Sequence, residues 1–276
     1  MAVRAVRRTG LKAGRMAASV AAVALLGGAV VGCDSDDDGD DWMGAGKKSP
    51  SASASSSAPV DGPSDGASSG APSQEVVPEA KVPPVSVERL AKVPAAVRGG
   101  VITVGKPGAE HTVKVYEDAR CPFCKKFEEG GAQALVEPLA DGDVKVEYTI
   151  ASFLDRNLGG NGSVNAANAL RAAVEAGKFP QFHSALFVNQ PEESEDAFTP
   201  AFLVKIAEKA GLRDAAFTKA VTNGTYKSWV GTAMKAFTDD GVTGTPTVVV
   251  DGEKVASDAL YTESGFGKVL KDAGIS

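Results

Sequence analysis

The sequence runs HTVKVYEDARCPFC from His111 to Cys124, and this stretch predicts a strand that leads directly into a helix. Apolar and polar residues alternate in its first half, as in a half-buried strand. Two cysteines follow, and Pro122 stands between them at a position that suits the first turn of a helix. The stretch therefore predicts a cysteine pair at the start of a helix, just beyond the end of a strand.

Two cysteines in this spacing and place indicate thiol–disulfide chemistry. The unsatisfied N–H groups and the macrodipole at a helix start favour a thiolate, which is the nucleophile in disulfide exchange. We expect Cys121, at the helix tip, to be exposed and to form the mixed disulfide with a substrate. Cys124, one turn further in, is expected to resolve it. Phe123 should lie on the surface beside the reactive sulfur and give a substrate an apolar contact.

The cysteine pair has two other interpretations, a zinc site and a structural disulfide. Zinc needs two more ligands, but the chain has no second cysteine pair, and His111 and His183 stand far apart in sequence. A bridge across two intervening residues removes little chain entropy, so it would stabilise the fold poorly. The sequence therefore predicts no metal, and no cofactor other than the redox-active disulfide Cys121–Cys124. His183 is interpreted as a helix-packing residue and His111 as a strand residue.

The flanking segments predict an α/β fold. The order of a strand, the strand before Cys121, a helix to about residue 140 and another strand implies a parallel pair joined by a crossover. A largely helical stretch follows, over about 155–240. A hairpin is expected at Asp251-Gly252 and a last helix at 261–271. The predicted strands are 101–104, 111–116, 144–150 and 247–250.

The first 92 residues predict export and attachment to a membrane. Residues 1–32 combine basic residues with an apolar run and are typical of a secretory signal. The segment Val30-Val31-Gly32-Cys33 resembles the lipobox of bacterial lipoproteins, in which the cysteine is lipidated. Residues 33–92, rich in Ser, Ala, Pro and Asp, predict a disordered tether. One folded domain is then expected over 93–276.

Charge and cysteine count agree with this location. Lipidation of Cys33 would leave one cysteine pair in an oxidising compartment. Removal of the signal, with its five basic residues, would take the net charge from −6 to −11. Such an acidic chain has no footprint for nucleic acid. We expect a lipoprotein on the outer face of the cell membrane, exported by the general route or by the twin-arginine route that Arg7-Arg8 resembles.

Several motifs together resemble the DsbA-like branch of the thioredoxin superfamily. They are Cys121-Pro122-Phe123-Cys124 after Tyr116-Glu117-Asp118, the run GVTGTPT at 241–247, and the segment 177–190. The resemblance covers roughly 101–275. It implies a thioredoxin fold with a helical insertion, at about 155–240, before a cis-proline loop. It also implies that Thr245-Pro246 is the cis-proline turn, whose backbone pairs with a substrate.

The chain departs from that pattern at two positions. Many thioredoxins have a buried acid six residues before the first cysteine, where this chain has Val115. Glu117 or Asp118 would then have to exchange the proton of Cys124. The best-known DsbA proteins have a histidine between their cysteines where this chain has Phe123, so its strength as an oxidant is open.

The leading functional hypothesis is a dithiol oxidase. It would introduce disulfides into unfolded or partly folded exported proteins and be reoxidised by a membrane redox partner. A membrane-anchored reductase or isomerase, as in cytochrome c maturation, is the alternative, because direction depends on relative potentials and partners. A third hypothesis is a lipoprotein that binds unfolded exported segments without turnover.

Overall fold

The structure is a computed structural model, and it describes residues 77–276. The predicted signal at 1–32, the lipidation site Cys33 and most of the predicted tether lie outside the described residues. Within residues 77–276, no helix is both long enough and apolar enough to cross a bilayer.

Six strands in the described residues form one mixed sheet, in the order β1-β2-β4-β3-β5-β6. Their bounds are β1 Ala95–Arg98, β2 Val101–Val104, β3 His111–Asp118, β4 Val144–Ala151, β5 Thr247–Val250 and β6 Glu253–Lys254. Strands β3 and β4 are parallel and lie at the centre, whereas all other neighbours are antiparallel. The predicted α/β fold with its parallel crossover is confirmed.

The helices fall into two groups around this sheet. Helices α1 and α2 make the crossover between β3 and β4, and α3 to α8 form the insertion between β4 and β5, where the sequence predicted it. Helix α9 closes the described chain. Their bounds are α1 Pro122–Glu129, α2 Val136–Asp141, α3 Leu154–Leu158, α4 Gly162–Glu175, α5 Phe179–Val188, α6 Pro200–Lys209, α7 Ala215–Asn223, α8 Lys227–Asp239 and α9 Glu263–Asp272.

Aromatic side chains join α1 to α9 and the insertion to the sheet. Phe127 of α1 meets Phe266 of α9 edge to face, with ring centroids 5.5 Å apart. Phe179 of α5 contacts Tyr148 of β4 at 5.6 Å. Aromatic pairs of this kind add to the free energy of burying their area. This packing brings the buried face of α5 beneath α1, which begins at the cysteine pair.

The predicted end of the tether at residue 92 is too late. Residues 85–90 form a 3₁₀ helix, and both Ala80 and Val87 are buried. The Lys81 N–H donates to Asn189 Oδ1 at 2.6 Å, and the Asn189 amide donates to the Lys81 carbonyl at 3.0 Å. A composition averaged over 33–92 concealed these few contacts. The packed chain therefore extends back to at least residue 77.

Strand β1 was also missed. Ala95–Arg98 has little strand propensity, but it pairs with β2 across a two-residue turn at Gly99-Gly100. Gly99 has φ +54°, a left-handed conformation that glycine adopts without strain. The hairpin therefore depends on the turn and on the neighbouring strand, rather than on the residues of β1.

Candidate active site

Strand β3 and helix α1 place the two cysteines on the first turn of α1. Cys121 is the N-cap residue in an extended conformation, and Pro122 follows inside the helix. Both cysteines are free thiols, and 6% of Cys121 is exposed against 0% of Cys124. The expectation that Cys121 is exposed was therefore wrong, because the residue is almost fully buried. Its sulfur donates a hydrogen bond to the Thr245 carbonyl at 3.3 Å, so the loop before β5 covers it.

The surroundings move the pKa values of the two thiols in opposite directions. A hydrogen bond from Cys124 lowers the pKa of Cys121 to about 6, with help from the Thr245 side chain and from the N–H groups of Cys124 and Phe123, although burial opposes this. Burial raises the pKa of Cys124 well above its usual value, and the hydrogen bond to Cys121 and its charge add to the effect. At neutral pH the reduced site therefore holds a thiolate at Cys121 and a thiol at Cys124.

The loop opposite the cysteines carries the predicted proline turn. The Thr245–Pro246 peptide bond is cis, and both residues are half-buried. A cavity of about 420 Å³ continues from Pro246 along the β5–β6 hairpin. Its other lining residues are Thr247, Lys254, Val255, Ala256, Ser257 and Leu260. This side of the site thus offers the Thr245 backbone next to the Cys121 sulfur and an open depression that begins at Pro246.

Phe123 forms an apolar surface on the other side of Cys121. Half of this residue is exposed, its ring lies 6.1 Å from that of Tyr261, and Lys126 Nζ lies 4.9 Å from its centroid. Burial and the charges of both cysteines raise the pKa of Tyr261, which places this ring close to the thiols. Sequence reasoning missed Tyr261, because only the fold brings the loop before α9 to the start of α1.

Of the two predicted acids, Asp118 holds backbone in place. Its carboxylate accepts hydrogen bonds from Ser163 Oγ at 2.6 Å, from the Arg120 N–H at 3.1 Å and from the Leu154 N–H at 3.2 Å. Burial raises its pKa to about 6, although these donors oppose the shift. Asp118 thus ties the loop before Cys121 to the start of the insertion.

Glu117 instead meets two other titratable groups. It is fully buried, and its Oε1 lies 2.6 Å from Nε2 of His183 on α5. Glu128 of α1 approaches the same imidazole from the other side, with 3.7 Å between His183 Nδ1 and Glu128 Oε2. His183 also stacks on Phe179. The packing role predicted for His183 was therefore incomplete, because the side chain also bonds to a buried carboxyl.

Within the described residues, one group of side chains could hold a metal ion by its spacing: Glu117, Glu128 and His183. Each offers one nitrogen or oxygen atom, and these atoms lie within 4.8 Å of one another. Two ligands of one tetrahedral zinc ion stand about 3.3 Å apart, given metal distances of about 2.0–2.1 Å. The His183–Glu117 separation of 2.6 Å is shorter and is that of a hydrogen bond. We therefore assign this group a proton rather than a metal.

Gln190 and Glu128 are site residues that sequence reasoning missed. Gln190 Nε2 donates to the carbonyls of Ala119 and Cys121, at 2.8 and 2.9 Å, and so holds the cysteine loop from the end of α5. No local pattern indicates this contact. Glu128 did leave a signal, because it stands four residues after the buried Cys124 and therefore lies on the same face of α1.

This site has the parts of a thiol–disulfide oxidoreductase: a reactive thiolate at a helix start, a buried partner thiol and a cis-proline loop facing them. The family model described as Thioredoxin matches residues 98–272, and the chain belongs to this family. The prediction of a DsbA-like thiol–disulfide oxidoreductase is confirmed.

The relatives carry names from the same class. Disulfide bond formation protein D of Bacillus subtilis (strain 168) is 27% identical over 168 residues, which are 59% of this chain and 73% of that protein. The reduced form of the disulfide bond oxidoreductase DsbG from Mycobacterium tuberculosis superposes with a TM-score of 0.53 at 25% identity, over 69% of this chain and 94% of that one. The thiol-disulfide oxidoreductase MdbA from Actinomyces oris gives 0.53 and 25%, over 68% and 96%.

Proposed function

We propose that the chain is a dithiol oxidase that forms disulfides in exported proteins at its Cys121-Pro122-Phe123-Cys124 site. The observation that carries this proposal is the position of Cys121 at the N-cap of α1 beside the fully buried Cys124, where the pKa of Cys121 is lowered to about 6 and that of Cys124 is raised. A stabilised thiolate favours the reduced form, which makes the disulfide form a better oxidant. Relative to a thiol of pKa 9, this stabilisation is about 1.4 kcal/mol at pH 7, or about 30 mV. The name of the Bacillus relative agrees with this direction.

The reaction runs through a mixed disulfide. A substrate thiolate attacks the Cys121 sulfur of the oxidised site, the Cys121–Cys124 bond breaks, and Cys124 leaves with the electron pair and takes up a proton. A second substrate thiolate then attacks the substrate sulfur of the mixed disulfide, and Cys121 leaves as a thiolate. The substrate has lost two electrons and gained a disulfide, and a membrane redox partner would restore the Cys121–Cys124 bond.

The surfaces around Cys121 suit an unfolded chain. Phe123 with Tyr261 offers an apolar contact, and the half-buried backbone of Thr245, next to Pro246, can pair with an extended segment. The cavity beside Pro246 has room for a substrate side chain. These features support unfolded or partly folded proteins as substrates. The reaction that we propose uses no cofactor beyond the cysteine pair.

Location is the second part of the proposal. The signal pattern of residues 1–32 and the lipobox at Cys33 support a lipoprotein held at the outer face of the cell membrane. Residues between Cys33 and residue 77 would then act as the tether. This arrangement would keep the domain near a membrane redox partner and near proteins leaving the export machinery.

The test is disulfide formation in a reduced, unfolded protein with several cysteines. We expect the oxidised full chain to add disulfides, detected by thiol alkylation and mass, and C121S to lose this activity. C124S should accumulate as a mixed disulfide with the substrate. If the chain only removes substrate disulfides when a dithiol is supplied, the reductase alternative replaces the oxidase. If C121S kept full activity, the protein would be a binder of unfolded chains.

A further inference from the structure

Three buried titratable side chains from three elements meet beneath the cysteine pair: Glu117 of β3, Glu128 of α1 and His183 of α5. His183 bonds to Glu117 Oε1, but Glu117 Oε2 and Glu128 Oε1 are buried and have no hydrogen-bond partner among the described residues. A buried oxygen without a donor is costly, so a native structure supplies one.

A proton held within the group is the donor that these oxygens need. Two carboxylates that face each other in a buried site cannot both ionise. Burial raises the pKa of Glu128 to about 8, where the Glu117 charge adds to the effect and His183 opposes it. Burial likewise raises the pKa of Glu117, and it lowers that of His183, whose shift Glu128 opposes. At neutral pH the group thus keeps a proton on its carboxyls and a neutral imidazole between them.

One side of this group faces the cysteines, because Glu128 lies one helical turn after Cys124 on the same side of α1. The charge of Cys121 helps to raise the pKa of Glu117, and the charge of Glu117 helps to raise that of Cys124. The titratable and charged groups that face the three side chains from the elements around them are Asp118, Cys121, Cys124 and Tyr148. Glu117 is therefore the member through which the group and the thiols influence each other.

The other side of the group faces a small cavity. Its volume is about 50 Å³, and Glu128 and His183 line it together with Ser86, Val87, Leu90 and Gln133. A volume of this size holds about three waters. The 3₁₀ segment 85–90 covers it, so the cavity lies between the buried carboxyls and the surface of the domain.

We propose that Glu117, His183 and Glu128 form a proton relay between the Cys124 thiol and this cavity. The proposal rests on the dithiol oxidase function and assigns Glu128 and His183, neither of which touches a substrate, as positioning residues for exchange at Cys124.

The proton balance of the step is simple. When a substrate thiolate breaks the Cys121–Cys124 bond, Cys124 leaves as a thiolate and takes a proton from Glu117. Glu128 then takes up a proton from the cavity and passes it to Nδ1 of His183, while His183 gives its Nε2 proton to Glu117. When Cys124 later attacks Cys121 during reoxidation, the same protons move in the opposite direction.

The experiment follows mixed-disulfide formation between the oxidised full chain and a single-cysteine peptide, by rapid mixing from pH 5 to 9. The test variant is E128Q, and the matched control is E129Q, which removes the same group from the exposed neighbouring position of α1. We expect E128Q to slow the step about tenfold or more and to change its pH profile, since general acid catalysis is worth about 10²–10⁴-fold. E129Q should match the unaltered chain.

Equal rates and pH profiles for E128Q and E129Q would overturn the relay while leaving the oxidase function intact. Failure of the unaltered chain to form any mixed disulfide would overturn the function itself, and the relay with it. A second measurement needs no variant: the infrared difference between reduced and oxidised protein should contain a carboxylic-acid carbonyl band that shifts in D₂O. Absence of that band, or one tightly bound zinc ion per purified chain, would contradict the proposal.

Discussion

Cys121 and Cys124 differ in reactivity although they share one helical turn. The difference comes from what surrounds each sulfur: Cys121 receives hydrogen bonds from Cys124 and from N–H groups at the start of α1, whereas Cys124 is fully buried and close to the charges of Cys121 and Glu117. Hydrogen bonds to a thiolate stabilise it, and burial without them destabilises it. The two thiols are therefore prepared for different steps of one exchange reaction.

This difference predicts the pH dependence of alkylation. The lowered pKa means that the Cys121 thiolate is populated above about pH 6 and is lost below it. The rate of iodoacetamide alkylation of the reduced protein should therefore be half-maximal near pH 6, with Cys121 modified and Cys124 spared. Cys124→Ala, which removes the main hydrogen-bond donor, should move the midpoint to higher pH. A midpoint near pH 9 in the unaltered protein would contradict this account.

At the residue scale, the sequence predicted the side chains that lie close to the cysteines along the chain. Phe123 is exposed, and Pro122 and Cys124 begin α1, because helix geometry alone places them there. Gln190 and His183 reach the site from the insertion, and Tyr261 from the loop before α9. Their roles depend on how α5 and α9 pack, which no local pattern contains. Glu128 is the exception, because an acid in an apolar helical stripe is visible in the sequence.

At the scale of elements, the segment that leads into β1 departs most from what the sequence predicted. Residues 85–90 cover the cavity at Glu128. The side chain of Asn189, just after α5, makes two hydrogen bonds to the backbone of Lys81. Asn189 is next to Gln190, which holds the cysteine loop. The segment that joins the predicted tether to the domain therefore packs against the same support as the active site.

This packing predicts an asymmetry between two valines of the segment. Val87 is 6% exposed and Val82 is 69% exposed. V87A should lower the free energy of unfolding by about 1–2 kcal/mol, because it removes buried methyl groups. For a domain of this size that corresponds to a fall in Tm of roughly 3–6 °C in a thermal melt. V82A is the matched control and should leave Tm unchanged; equal effects of the two substitutions would show that the segment does not pack on the domain.

At the scale of whole elements, strong patterns were predicted and weak ones were not. The valine-rich strands β3, β4 and β5 and the helices of the insertion have clear periodicity and glycines at their ends. Strand β1, the short helix α3 and the 3₁₀ segment 85–90 have only four to six residues each, which are too few to show a clear period. They are ordered by neighbours, so composition assigned 85–90 to the tether.

Considered as a whole molecule, the fold serves to bring three chain regions to one point. Helix α1 begins just beyond the C-terminal end of the central strand β3, the insertion returns α5 beneath it, and the loop before β5 brings Thr245-Pro246 against Cys121. The family match over residues 98–272 covers all three regions. The order of elements was predictable, but the depth at which Thr245 covers Cys121 was not, since it depends on the position of the loop before β5.

The central claim, that this chain oxidises dithiols, is tested most directly by the reduction potential of the Cys121–Cys124 pair. It is measured by equilibration of the full chain with glutathione mixtures, followed by thiol alkylation and mass. We predict a value less negative than the about −270 mV that is typical of thioredoxin, shifted toward the about −120 mV of a strong thiol oxidant. A value near −270 mV would contradict the oxidase and indicate a reductase.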